Sequence, residues 1–246
     1  MLKLIRSEFV RMFRYSSFWK CGIVAVIFDL ICVFTNYLIE LEISLNYNYD
    51  VILFSGYIIM IIVSSIITCS FIGTEFSCGT MRNKLISGKQ HYQIYIADYI
   101  VCFSVTMLLN LVSIGIIGLF NIFDSTLPSS LTLIEILQNF LYSVPLFAFF
   151  IGLFVLIPMT VHKHSKSTVL SIVAAFAMLL APFCFFIFSE ISETAKIIVK
   201  YFPTTGLYSL TANETEHISR FIVTSIVSAV IVIAAGISIF RKKNVK

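Results

Sequence analysis

Apolar residues run along the chain in six long stretches, about residues 18–39, 51–73, 94–120, 138–161, 168–189 and 221–240, separated by polar segments. A helix needs about 20 apolar residues to cross the hydrocarbon layer of a bilayer, and each stretch meets that length. The pattern predicts an all-α membrane protein with six transmembrane helices in a single domain covering residues 1–246. The third stretch is long enough that its first turn is expected in the interface. Pro145, Pro158 and Pro182 fall within or near the ends of spans, where a kink is tolerated if neighbours satisfy the freed carbonyls. Residues 1–17 read differently. Leu2, Ile5, Phe9, Met12 and Phe13 recur at three- to four-residue spacing, with Lys3, Arg6, Arg11 and Arg14 over the rest. That is an amphipathic interfacial helix, held by apolar burial and by attraction to anionic headgroups. The same helix touching a cytoplasmic partner is the alternative.

Composition narrows the class. Apolar residues make up 59% of the chain, charged residues 12%, and the mean hydropathy is +0.97. An ordinary soluble domain is about 45–50% apolar and about 25% charged, and its exterior must be wet. Soluble enzymes, nucleic-acid-binding modules and disordered chains are excluded. The net charge of +4 matters through its placement. Fourteen Lys and Arg fall in the N-terminal arm, the second and fourth loops and the tail, against three in the remaining loops. By the positive-inside rule both termini face the cytoplasm. Glu40, Glu42, Asp50, Asp124, Glu135, Glu190, Glu193, Glu214 and Glu216 then all lie outside. Cys21, Cys32, Cys69, Cys102 and Cys184 sit in apolar runs and Cys78 in a basic loop, which predicts reduced thiols. Charges run through the first twenty residues, so no cleavable signal peptide is expected there.

Sites for chemistry are few. Gly88-Lys89 lacks the upstream glycine of a phosphate-cradling loop, and no HExxH pattern occurs. His162 and His164 flank Lys163, whose cation disfavours a metal. No nucleophile elbow is present, and Asn213-Glu214-Thr215 matches a glycosylation acceptor. The chain is therefore expected to be no enzyme, with no metal and no cofactor of its own. Asp29 stands out near the middle of the first span, where an ionised carboxylate costs about 2.5–3.5 kcal/mol. It reads either as part of a substrate path or partner contact, or as an acid packed inside the bundle. Asp98 is expected to snorkel or to pair with Arg82 or Lys89. Asn110, Ser64, Ser65 and Thr68 are expected to hydrogen-bond between helices.

The second loop is the most informative stretch. Glu75 is followed by Phe76, then Gly79-Thr80 and the cluster Arg82-Asn83-Lys84, and Gly88 closes a short apolar turn. This predicts a short helix across the membrane surface. An acid, three residues, Gly-Thr and then basic-Asn, between the second and third of six spans, resembles the coupling loop of ABC-2 type transporter permeases. The resemblance implies that Glu75, Phe76, Gly79, Thr80, Arg82 and Asn83 contact a separate ABC ATPase subunit, which would carry the ATP and Mg. It also implies a second permease copy, a bacterial cytoplasmic membrane, and export of a peptide, antimicrobial or lipid-like compound. Pro203 and Gly206 divide two short apolar arms before the last span. They suggest either a re-entrant hairpin, which the resemblance implies is an outer gate, or a plain folded loop. The Phe-rich segments around Phe147, Phe149, Phe150 and Phe183, Phe185, Phe186, Phe188 suit the walls of an apolar cleft. Other classes stay open: a stand-alone ion-coupled carrier, an intramembrane enzyme, or a membrane partner protein without transport.

Overall fold

The computed structural model describes residues 1–43, 49–123, 133–161, 163–189 and 215–242, and these are helical throughout apart from short connections. The helices are α1 (Leu2–Arg14), α2 (Ser16–Ile43), α3 (Tyr49–Ser77), α4 (Thr80–Ile86), α5 (His91–Phe123), α6 (Leu133–Val161), α7 (His164–Ser189) and α8 (Thr215–Lys242). Six of them, α2, α3, α5, α6, α7 and α8, are long and apolar enough to cross a membrane. They coincide with the six stretches read from the sequence. None of the described cysteines is in a disulfide.

The bundle has an inside and an outside. Helices α3, α5 and α6 touch one another and form an inner triangle. Each remaining span fills one groove of it: α2 lies on α3 and α5, α7 on α3 and α6, and α8 on α5 and α6. Burial follows: 78%, 44% and 61% of the apolar windows of α3, α5 and α6 are buried, against 17% in each outer helix. The outer helices expose Ile23, Ile27 and Phe34 on α2, Val169, Val173 and Phe176 on α7, and Val223 and Val230 on α8. Apolar surface this extensive suits lipid and not water.

Several polar atoms inside the bundle find partners on a neighbouring helix. Pro158 has no N–H for the carbonyl of Phe154 one turn earlier, and the Cys69 thiol of α3 donates to that oxygen at 3.2 Å. Asn110 Nδ2 donates to Ser143 Oγ at 2.9 Å, joining α5 to α6. Tyr57 and Tyr99 reach α6 through the carbonyls of Asn139 and Ala148. Ser64 and Ser65 depart from the expectation, because their hydroxyls donate to Ile61 and Ile62 of their own helix. What they contribute across the interface is small size; the carbonyl of Ser65, not its hydroxyl, meets Ser171 of α7 at 3.4 Å. Phe147 and Phe150 are fully buried and Phe149 nearly so, packed with the core, so in this conformation they line no open cleft. Pro182, Phe183, Phe185, Phe186 and Phe188 have side chains outside the described residues.

Several basic segments meet at one end of the bundle. The ring of His91, at the start of α5, lies 5.1 Å from Phe240 near the end of α8. Gly73, near the end of α3, faces His164 at the start of α7 so closely that a Cβ there would lie 2.8 Å from the imidazole. Helix α4 follows α3 directly at this end, and α1 packs against α5 and α2.

Candidate functional site

The turn after α3 explains the spacing of the second loop. Gly79 adopts φ +70°, the left-handed conformation that halts a helix and that a side chain disfavours. Its N–H donates to the carbonyl of Phe76, and the Thr80 hydroxyl donates to the carbonyl of Glu75 at 3.1 Å. Thr80 thus caps α3 while beginning α4. Gly88, at φ +81°, ends α4 in the same way: its N–H donates to Leu85 and that of Lys89 to Lys84. This paired arrangement is a Schellman cap. Between two such stops, α4 turns Met81, Lys84 and Leu85 toward the bundle and leaves Arg82, Asn83 and Ile86 exposed.

The turn brings Lys84 back onto Glu75. Lys84 Nζ donates to both Glu75 oxygens, at 2.8 and 2.7 Å. The same ammonium lies 2.8 Å from Glu8 of α1 and 3.6 Å from Asp98 of α5. Arg11 of α1 donates to Glu75 and pairs with Glu8 at 2.8 Å. Its guanidinium also stacks over the Phe71 ring, 4.1 Å from the centroid. Glu8, Glu75 and Asp98 are 3%, 2% and 0% exposed, so the three acids are inside the protein although Glu75 lies near the end of α3. Five charged groups from α1, α3, α4 and α5 therefore form one centre in which the acids are buried and Arg11 stays part-exposed, with three negative charges against two positive ones.

This placement revises the sequence reading of Glu75. The carboxylate expected to reach an ATPase surface is turned inward and engaged by Arg11 and Lys84. Thr80 joins Glu75 through the cap, Phe76 is half-buried, and Arg82 and Asn83 remain available at the surface. Gly79 is needed for its backbone conformation; no atom lies within 4 Å of where its Cβ would stand. Asp98 meets Lys84, and neither Arg82 nor Lys89. Pro203 and Gly206 lie outside the described residues.

Helix α1 also turns differently from the expected stripe. Leu4, Glu8 and Met12 form its buried face, while Leu2 is 82% exposed and Val10 and Phe13 are exposed as well. Glu8 and the inward direction of Lys84 were missed because periodicity treats a charge as an outward marker. The usable signal was Glu8 standing one helical turn from both Leu4 and Met12, with Arg11 three residues on.

Asp29 sits apart. It is 1% exposed on α2, facing Gly56 of α3 and Ser113 of α5: a Cβ at Gly56 would be 3.6 Å from both Asp29 Oδ1 and Ser113 Oγ. Neither carboxylate oxygen accepts a hydrogen bond among the described residues, and no ion pair reaches it there. No protein-family model matches the sequence, and no curated protein matches it either.

Proposed function

We propose that the chain is the membrane-spanning subunit of an ATP-driven exporter, silent in catalysis, whose basic end meets a separate ATPase that holds ATP and Mg. The observation that carries this reading is α4. It is a seven-residue helix set between two left-handed glycines. It is tied through Lys84 to three other helices and presents Arg82, Asn83 and Ile86, the last 72% exposed, away from the bundle. A lever needs both properties, a rigid root and a free face. A push on α4 is delivered to α1, α3 and α5 together, because their charges share one ammonium.

In this reading the basic end faces the cytoplasm, both termini lie there, and α1 rests on the membrane surface with Leu2, Val10 and Phe13 toward the lipid. A second copy of the chain and a second ATPase complete the exporter, in a bacterial cytoplasmic membrane, with an amphipathic peptide, antimicrobial or lipid-like compound as cargo. The free face of α4, rather than Glu75, makes the contact.

The test is co-purification with an ATPase encoded beside the gene. Ile86→Asp and Arg82→Glu should each lower the recovered ATPase at least fivefold, with unchanged amounts of the permease in the membrane. Single-cysteine labelling in a cysteine-free background gives the orientation: Ser87 should react only after the cytoplasmic side is opened. Reaction of Ser87 in intact cells, or full ATPase recovery with both α4 variants, would end the exporter reading. A stand-alone ion-coupled carrier would then be favoured by the one observation that suits it, the buried Asp29 in α2.

A further inference from the structure

Helix α1 has three edges. Leu4, Glu8 and Met12 face the bundle. Next to them runs an apolar edge on which Phe9 is half-buried and Leu2 and Phe13 are exposed. On the third edge Lys3, Arg6 and Arg14 are exposed, and among the described residues no acid pairs with any of them. Arg11 alone of these bases meets an acid, and the one acid of the helix, Glu8, is buried. The apolar and basic edges adjoin: Leu2, Phe9 and Phe13 line an open groove together with Arg6, Val10 and Arg14. Arg6, Val10 and Arg14 follow at four-residue steps, so the two arginines stand on one line, about 12 Å apart. The elbow into α2 sets the depth of this groove. The Trp19 indole N–H donates at 2.9 Å to the carbonyl of Phe13, one of those a helix end leaves open. Phe13 stacks on Phe9 and meets Phe18 edge-on, and Phe18 meets Trp19 in the same way. Trp19 is 58% exposed, and an exposed tryptophan at the start of a span belongs at the membrane–water boundary. At that level an apolar edge meets acyl chains and a basic edge meets phosphates.

We infer that this groove binds one anionic phospholipid of the leaflet it faces, with the phosphate on Arg6 and Arg14 and an acyl chain along Leu2, Phe9 and Phe13. Charge complementarity selects that occupant. Three unpaired cations on one edge favour a headgroup of net negative charge, whereas a zwitterionic headgroup brings an ammonium of its own. Each guanidinium offers a phosphate two parallel N–H donors. A second copy of this chain, presenting the same face about a two-fold axis, would set these cations against one another. The inference rests on α1 lying at the membrane surface and not on export, so lipid binding and ATPase recovery can fail separately.

Trp19 is the only tryptophan of the chain, and it stands beside the groove, so its fluorescence reports lipid there. The experiment places the full chain in phosphatidylcholine bilayers and adds increasing fractions of phosphatidylglycerol or phosphatidylcholine with dibrominated acyl chains, which quench on contact. Phosphatidylglycerol should reach half of its maximal quenching at a tenfold lower mole fraction than phosphatidylcholine. The double variant Arg6→Gln, Arg14→Gln should bring the two lipids within twofold of each other, and Arg6→Lys with Arg14→Lys should retain part of the preference. Arg241→Gln with Lys242→Gln removes as many exposed bases from the end of α8, which packs on α5 and α6, and should leave the preference intact. Equal quenching by the two lipids in the unaltered protein would overturn the inference. So would a preference that survives the Arg6 and Arg14 changes, or one that the α8 changes abolish equally. If the double glutamine variant fails to accumulate, Arg6→Gln alone must lower the preference at least threefold, and an unchanged preference overturns the inference.

Discussion

Two buried acidic regions of this protein handle the same physical problem differently. At the basic end, Glu8, Glu75 and Asp98 share Arg11 and Lys84, and each helix that supplies a charge is held by the others. In α2, Asp29 stands against a glycine and a serine with no cation beside it among the described residues. A networked charge is a fastener, because removing one member leaves its partners buried and uncompensated. A solitary carboxyl fastens nothing. The contrast separates a region that fastens four helices to one another from one that the fold merely accommodates.

The largest effect that can break this contrast comes from Glu75, which accepts hydrogen bonds from both Arg11 and Lys84. Glu75→Ala removes the hydrogen-bonding partner that Arg11 and Lys84 share, while Glu8 still pairs with both, and should cost about 1.5–3 kcal/mol, the usual worth of hydrogen bonding to charged groups. Reversible unfolding in detergent measures it. The sequence reading expects this variant to fold normally, so a cost below about 1 kcal/mol would restore Glu75 to a surface role. Gly79→Ala comes next. With open space around its Cβ position, the variant meets only the left-handed backbone cost, about 1–2 kcal/mol. Gly79→Asn should recover part of that loss in the same assay, because Asn tolerates this conformation. A steric origin would make Asn worse than Ala. Asp29→Asn should have the smallest effect, within about 1 kcal/mol of the parent, as no buried partner is left unpaired. A loss above about 2 kcal/mol would show that Asp29 has an ionic partner of its own and would erase the contrast.

The two ends of the charge network were legible to different degrees. The motif around Glu75 was visible as spacing, and its local logic follows from residue types: a glycine able to stop α3, a threonine able to cap it, and a lysine nine residues beyond the glutamate. Its inward direction was not visible. Arg11 and Glu75 are 64 residues apart, and only the packing of α1 beside the end of α3 makes them partners. Asp98 had a legible need for a cation, but which lysine satisfied it depended on the turn at Gly79.

The six spans, the extra N-terminal helix and the concentration of basic residues in alternate segments follow from the sequence by itself. Length and hydropathy suffice for them, because lipid demands long apolar helices wherever a chain crosses. Tertiary structure alone decided which spans are central. In lipid an apolar side chain is equally at home against a neighbour or against a hydrocarbon tail, so hydropathy points no helix inward. The small and polar residues of α3, from Ser64 and Ser65 through Thr68 and Cys69 to Gly73, hinted at its central place, since close packing selects for them. Only the packed bundle sets α3, α5 and α6 inside, places α2, α7 and α8 in their grooves, and turns the charges of α1 and α4 toward one another. The physical reason is that pairing compensates charge burial, and pairing depends on distances that no single segment contains.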